Sequence, residues 1–216
     1  MKILVTGGAR RLGRFFVKTL ASQGNQVAIH YNSSSAQAEE LLREIGGAEK
    51  GHAVFQANLS DLSEAQKLID NCVADWGQFD LLINSASTYF CRGMSGIRQE
   101  DLMDDFVINF MSPFMLMQHF EKHCGRGQII NILDNRVNYV DADAGPYALA
   151  KKSLRDATEA CAQEWQGKIR VNAVAPGNVL NPGLEIEGNM NEDIVAIMTT
   201  IENFIKSDES GVIRAL

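Results

Sequence analysis

Tyr147 and Lys151 stand four residues apart in the stretch 134–151, which leads into an alanine-rich segment. On a helix that spacing puts both side chains on one face, a turn from each other. A phenol, with a reference pKa of about 10, is a poor proton donor near neutrality; an ammonium beside it stabilises the phenolate and lowers that pKa. The pair therefore reads as a general acid with its tuner. Solvated helix faces produce the same spacing, so the surrounding elements must decide.

Those elements alternate. Residues 2–6, 26–30, 52–57, 79–84, 127–133 and 168–174 are short, mostly apolar runs suited to strands. Between them, 12–20, 36–45, 62–76, 100–123 and 146–165 carry helical spacing, with Asp61 as a cap, a bend expected at Ser112-Pro113 and proline opening the last. This alternation predicts an α/β fold, a Rossmann-type doubly wound parallel sheet with helices on both faces. After Pro176-Gly177 it ends: 178–189 reads as a loop, 191–206 as a helix and 209–216 as the opening of a further helix. No linker divides the chain, which reads as a single domain over 1–216.

The turn after the first strand, Thr6-Gly7-Gly8-Ala9-Arg10-Arg11-Leu12-Gly13, is where a parallel α/β sheet binds a pyrophosphate, against backbone N–H groups at a helix N-terminus. Glycines there let the backbone approach the ligand closely. Arg10, Arg11 and Arg14 make the turn basic. The second strand ends in His30-Tyr31-Asn32-Ser33-Ser34, with no carboxylate for a ribose 2′-hydroxyl. Hydroxyls and guanidinium groups suit a 2′-phosphate, so the expected cofactor is NADP(H).

Composition narrows the partners. Hydrophobic residues are 45 % of the 216, charged residues 22 %, and the formal net charge is −7, a globular balance that disfavours nucleic acid and anionic membranes. No apolar run reaches the ~18 residues of a membrane span, and the N-terminus reads as a strand and turn rather than a signal peptide. Cys72, Cys91, Cys124 and Cys161 are scattered thiols, as in a cytoplasmic protein. His119 and His123 share a helix face beside Cys124, but the sequence shows no further ligand, so no metal is expected.

Taken in order, these motifs resemble the short-chain dehydrogenase/reductase family, from residue 2 to about 177. The family's TGxxxGxG turn is similar to Thr6-Gly7…Arg11-Leu12-Gly13, with Arg11 in place of the middle glycine. That arginine and the HYNSS segment resemble the pteridine reductase branch, where they help hold NADPH. The resemblance implies further cofactor contacts from Asn58, with Leu59 beside it, where the family often has an adenine-contacting aspartate. It implies others from Asn84-Ser85-Ala86, Pro176-Gly177, Tyr147 and Lys151. It makes Asn109 the helix asparagine of the catalytic set and 178–206 the substrate-loop region, and it implies homo-oligomers, usually tetramers or dimers. Family members end in a further helix and a seventh strand with a DGG-like segment, which is absent, so the C-terminal edge strand is expected to be missing.

Most members place a serine thirteen residues before the tyrosine; here that residue is Asp134. The pteridine reductases resemble this chain there, their aspartate working with the tyrosine to protonate a pterin nitrogen. Ser87 and Tyr89 fall on the substrate side, with Tyr89 set to stack on a flat heteroaromatic for roughly 1 kcal/mol. The leading expectation is NADPH-dependent reduction of a dihydropterin, dihydromonapterin or dihydrofolate, with Tyr147, Lys151, Asn109 and Asp134 catalytic. Alternatives are a carbonyl or 3-oxoacyl thioester reductase and, because the last strand is expected to be missing, a non-catalytic NADP-binding sensor.

Overall fold

Alternation along each strand decides the layering. In β1 (Lys2–Val5), Ile3 and Val5 join one apolar layer while Leu4 joins the other. β2 (Gln26–Tyr31) repeats the pattern, with Val27 and Ile29 on the side of Ile3 and Ala28 on the side of Leu4. A computed structural model of the chain describes residues 1–177 and 192–216. Its remaining strands are β3 (Ala53–Gln56), β4 (Leu81–Asn84), β5 (Gly127–Ile132), β6 (Ile169–Ala175) and β7 (Ile213–Ala215). All pair in parallel in the order β3-β2-β1-β4-β5-β6-β7.

Helices α1 (Arg11–Ser22), α2 (Ser35–Glu44) and α7 (Glu192–Lys206) cover the face holding Ile3 and Val5, through Phe16, Leu20, Leu41, Ile197 and Phe204. Helices α3 (Leu62–Trp76), α5 (Ser112–Cys124) and α6 (Gly145–Glu164) cover the other, through Leu68, Phe120 and Leu154. Both faces are buried, which is why the strands are apolar at nearly every position. The doubly wound architecture is the expected one. No helix among the described residues is long and apolar enough to cross a membrane.

One expectation is corrected. The edge strand is present: β7 runs parallel to β6, with Ile213 opposite Ala173 and Ala215 opposite Ala175. Gly211 takes a left-handed φ of 79° and its N–H donates to the Val171 carbonyl, after which the β-branched Val212 and Ile213 extend along β6. Residues 209–216 therefore do not open a helix; the partner that makes them a strand is remote in sequence. Next to the bend expected at Ser112-Pro113, the helical chain is irregular: it runs from α4 (Gln99–Phe106) through a π-helical turn, Val107–Met111, into α5. The loop expected at 178–189, and the early part of the region 178–206, lie outside the described residues; α7 is the helix expected at 191–206.

Candidate active site

In the order 3-2-1-4-5-6-7 the chain crosses over between β1 and β4, and a crevice opens beyond the carboxyl ends of those two strands. Thr6, at the end of β1, ties the crevice walls together. Its hydroxyl oxygen accepts from the N–H groups of Ser85 (2.9 Å) and Ala86 (3.0 Å), so the loop after β4 is fastened to the glycine turn. The turn has no space for a side chain at Gly7 or Gly13. Gly7 has φ 63° and a Cβ on it would lie 3.0 Å from Ala86 Cα, whereas a Cβ on Gly13 would collide with the Gly7 carbonyl. No side chain caps the first turn of α1 and no acidic residue lies in it, leaving its N–H groups for an anion. These features fit a dinucleotide pyrophosphate.

The basic residues of the turn divide. Arg14 is half-buried and pairs with Glu44 at 2.7 Å, which ties α1 to α2. Arg10 and Arg11 are exposed, and Arg11 holds a left-handed φ of 50°. Asn32 and Ser33 are exposed at the end of β2; Asn32 Nδ2 donates to Asn58 Oδ1 at 3.4 Å, joining the ends of β2 and β3. Tyr31 is half-buried against the α1–α2 layer, and Leu59 is buried, its carbonyl accepting from the Ser112 hydroxyl.

His30 and Asn84 do not offer their side chains to the crevice. His30 is buried, with Nδ1 accepting from the Gly7 N–H (3.0 Å) and Nε2 3.0 Å from the Ala57 carbonyl. The second contact requires the Nε2–H tautomer, so the ring is neutral, and burial lowers its pKa to about 4. It supports the glycine turn from beneath. Asn84 turns into the core, donating to Asn131 Oδ1 at 2.9 Å in a polar ladder that continues to Thr158.

Across the crevice, Tyr147 and Lys151 share a face of α6, both buried. The Tyr147 hydroxyl donates to Asp134 Oδ2 at 3.1 Å. Lys151 Nζ donates to the Ile132 carbonyl at 2.9 Å and lies 5.8 Å from the centre of the Tyr147 ring. The expected lowering of the phenol pKa is not found in this structure. Burial first, and then the Asp134 charge and hydrogen bond, push the Tyr147 pKa above its usual value. The ammonium is engaged elsewhere, and its own pKa is lowered by burial to about 8. Tyr147 thus holds its proton, the state a donor needs.

Asp134 is clamped by a residue to which no role was given from sequence. Arg136 donates to it from the backbone N–H (2.9 Å) and from Nη1 (3.1 Å), while Arg136 Nε donates to Asp141 at 2.7 Å. Its guanidinium also lies 5.1 Å from the centre of the Tyr89 ring. A short 3-10 turn, Asn135–Asn138, with Asp134 as its cap, makes this local clamp possible. Tyr89 is 41 % exposed and meets Tyr147 edge-on, with ring centres 4.9 Å apart.

Asn109 lies in the π-helical turn and is fully buried. Its Oδ1 accepts from the Ser87 hydroxyl (2.6 Å) and its Nδ2 donates to the Thr88 carbonyl (3.0 Å), pinning the loop that carries Tyr89. In an α-helix the carbonyl of residue 109 would take the N–H of residue 113; that residue is Pro113, which has none. The proline thus explains the irregular turn at Asn109. Pro176 and Gly177 close the far wall: the Pro176 carbonyl accepts from Asn135 N–H (2.8 Å), and Gly177 N–H donates to Leu216 (3.0 Å).

A doubly wound sheet with a glycine turn at its switch point and a buried Tyr–Lys pair opposite defines a nucleotide-dependent oxidoreductase. The chain belongs to the short chain dehydrogenase family, whose model matches residues 1–192. Among its relatives is pteridine reductase 1 of Leishmania tarentolae, 28 % identical over 216 residues, covering 81 % of this chain and 75 % of that one. Another is 3-oxoacyl-[acyl-carrier-protein] reductase of Staphylococcus aureus (strain Mu50), 30 % identical over 189 residues, covering 82 % and 74 %. The crystal structure of FolM alternative dihydrofolate reductase 1 from Brucella canis, complexed with NADP, superimposes with a TM-score of 0.88 at 30 % identity, covering 100 % of this chain and 91 % of that one.

Proposed function

We propose that this chain is an NADPH-dependent reductase of a pterin-type substrate, a dihydropterin, dihydromonapterin or dihydrofolate. The observation that carries the reading is the Asp134–Tyr147 hydrogen bond at 3.1 Å beside the half-exposed Tyr89 ring. A carboxylate and a phenol side by side suit protonation of a ring nitrogen, and an aromatic face suits a flat heterocycle. The NADP-bound relative and the pteridine reductase relative support it.

NADPH, when bound, supplies the hydride. It would lie on the glycine turn, with Arg10, Arg11 and Ser33 toward the 2′-phosphate and Lys151 with Tyr147 toward the nicotinamide ribose. The chain's own residues move the proton. Reduction of a C=N bond adds hydride to carbon and a proton to nitrogen, and Tyr147 holds that proton. Asp134 takes the Tyr147 hydrogen bond at rest and assists delivery, Arg136 keeps Asp134 aimed, and Asn109 supports the water relay that restores the proton to Tyr147. The 178–206 region is assigned to the substrate side, and the chain to the cytoplasm. Exposed Leu102, Met103 and Leu149 on α4 and α6 support assembly as a homo-oligomer through those helices, which light scattering measures.

NADPH oxidation against a panel of dihydropterins, dihydrofolate, ketones and acetoacetyl thioesters tests the assignment. Turnover of pterins and not of thioesters is expected. The likeness to the 3-oxoacyl reductase favours the other reductase reading, and the reverse pattern would establish it. The motive for a non-catalytic sensor was a missing edge strand, and β7 removes it. In the same assay Asp134→Ser should slow pterin reduction by ~10–100-fold, the value of a charge-assisted hydrogen bond of ~1.5–3 kcal/mol. Unchanged pterin rates would mean that Asp134 has no part in the chemistry.

Arg11 offers a second measurement. Left-handed backbone costs a residue with a Cβ about 1 kcal/mol, which glycine does not incur. Arg11→Gly should therefore raise stability by ~1 kcal/mol in chemical unfolding, while the KM for NADPH rises and that for NADH does not. A KM for NADPH that stays put would remove Arg11 from the phosphate site.

A further inference from the structure

His119 and His123 project from one face of α5, and the fold brings Asp70 of α3 against both. One oxygen of the Asp70 carboxylate lies 3.1 Å from His119 Nδ1 and 2.9 Å from His123 Nε2. The potential ligand atoms of the three residues all fall within 4.8 Å of one another. The imidazoles stack one helical turn apart, with ring centres 6.0 Å from each other and planes inclined by 27°. His123 Nε2 is shut off from water, yet the approach of Asp70 does not have the geometry of a hydrogen bond to it. Gln78 Nε2 donates to the His123 carbonyl at 2.8 Å and steadies the end of α5.

We propose that Asp70, His119 and His123 form a binding site for a divalent cation of the zinc type, which ties α3 to α5. Two imidazole nitrogens with one carboxylate oxygen select Zn2+ or its transition-metal neighbours over Mg2+ and Ca2+, which take oxygen donors. Histidines at i and i+4 share a helix face, as a chelate requires. Metal–nitrogen bonds of about 2.0–2.1 Å lie in the imidazole planes, so the two rings turn their lone pairs toward one ion as the Asp70 carboxylate swings aside to become the third ligand. The side chains are 18 %, 29 % and 45 % exposed for His119, His123 and Asp70, so the carboxylate, the most open of the three, is the group that moves to admit an ion to the enclosed His123 Nε2. Cys124, the neighbour of His123, is not part of the site; it is buried in the core. An ion held by two helices favours the folded chain, in which alone the ligands converge.

The test uses the full chain stripped with EDTA, then titrated with ZnCl2 by calorimetry and followed by thermal unfolding. Stoichiometric uptake and a rise in Tm with Zn2+ but not with MgCl2 are expected. His119→Gln, His123→Gln and Asp70→Asn should each weaken binding by at least ~100-fold, beyond the ~10–100-fold typical of losing an outer hydrogen-bond partner, with circular dichroism and reductase activity kept. Co2+ should give visible bands without thiolate charge transfer, and Cys91→Ser, which removes the exposed thiol, should bind as the parent does. Absence of stoichiometric uptake overturns the proposal. So does uptake that survives in a folded His119→Gln/His123→Gln double variant, or that disappears in Cys91→Ser.

Discussion

Tyr147→Phe is expected to lower the rate of substrate reduction by ~10²–10⁴-fold, the range for loss of a positioned general acid, while NADPH affinity stays nearly unchanged. The substitution removes one hydroxyl from a buried ring and leaves its packing against Tyr89 in place. What disappears is the group that donates to Asp134 at 3.1 Å and, in the proposed reaction, the proton itself. Burial and the Asp134 carboxylate both favour the protonated phenol, so the resting chain stands ready to donate. Single-turnover reduction with NADPH bound in advance separates the chemical step from binding. Equal single-turnover rates in the two proteins would remove Tyr147 from the reaction.

Acid should begin to destabilise the fold from about pH 6.5 downward, through a buried histidine and not only through carboxylates. His30 has a pKa of 6.5 in the unfolded chain and about 4 when buried. Between those values the unfolded chain binds a proton that the folded chain refuses, so stability falls as pH is lowered from 6.5 to about 4. The accumulated loss is ~3 kcal/mol, from ~1.4 kcal/mol per unit. His52 contributes in the same direction: burial lowers its pKa too, and its Nδ1 accepts from the Val27 N–H at 3.1 Å. Urea unfolding at pH 7 and at pH 4.5 measures the difference. His30→Gln should be less stable at pH 7, having lost the ring that supports Gly7, but should show a shallower dependence on pH. An unchanged pH slope in that variant would mean that His30 is not the group responsible.

Strand periodicity, helix spacing and the glycine turn were legible because each is local. An apolar run such as Leu81–Asn84 is a strand that must be buried on both faces, whichever neighbours it meets. Gly7 and Gly13 announce a close backbone approach, and the spacing of Tyr147 and Lys151 guarantees a common helix face. Asp61 caps α3 by accepting from the Ser63 N–H, as residue type and position predict. These were enough to reach the architecture and the crevice.

The C-terminal strand was not legible. Ile213–Ala215 is too short a run to declare itself, and it becomes a strand only because β6 offers an unpaired edge. Side-chain direction was hidden for the same reason. His30 and Asn84 sit at crevice positions in the chain, yet each faces backbone or core that arrives from elsewhere.

By itself, then, the sequence determined the α/β alternation, the cradle for a dinucleotide and the Tyr–Lys face. Tertiary structure alone decided that Lys151 turns to the Ile132 carbonyl, that the Tyr147 pKa moves up, that Arg136 reaches Asp134, Asp141 and Tyr89 at once, and that Asp70 meets two histidines. Secondary structure follows from bonds and spacings within a few residues. Burial, charge proximity and ligand convergence depend on which distant segments pack together, and no local pattern specifies that.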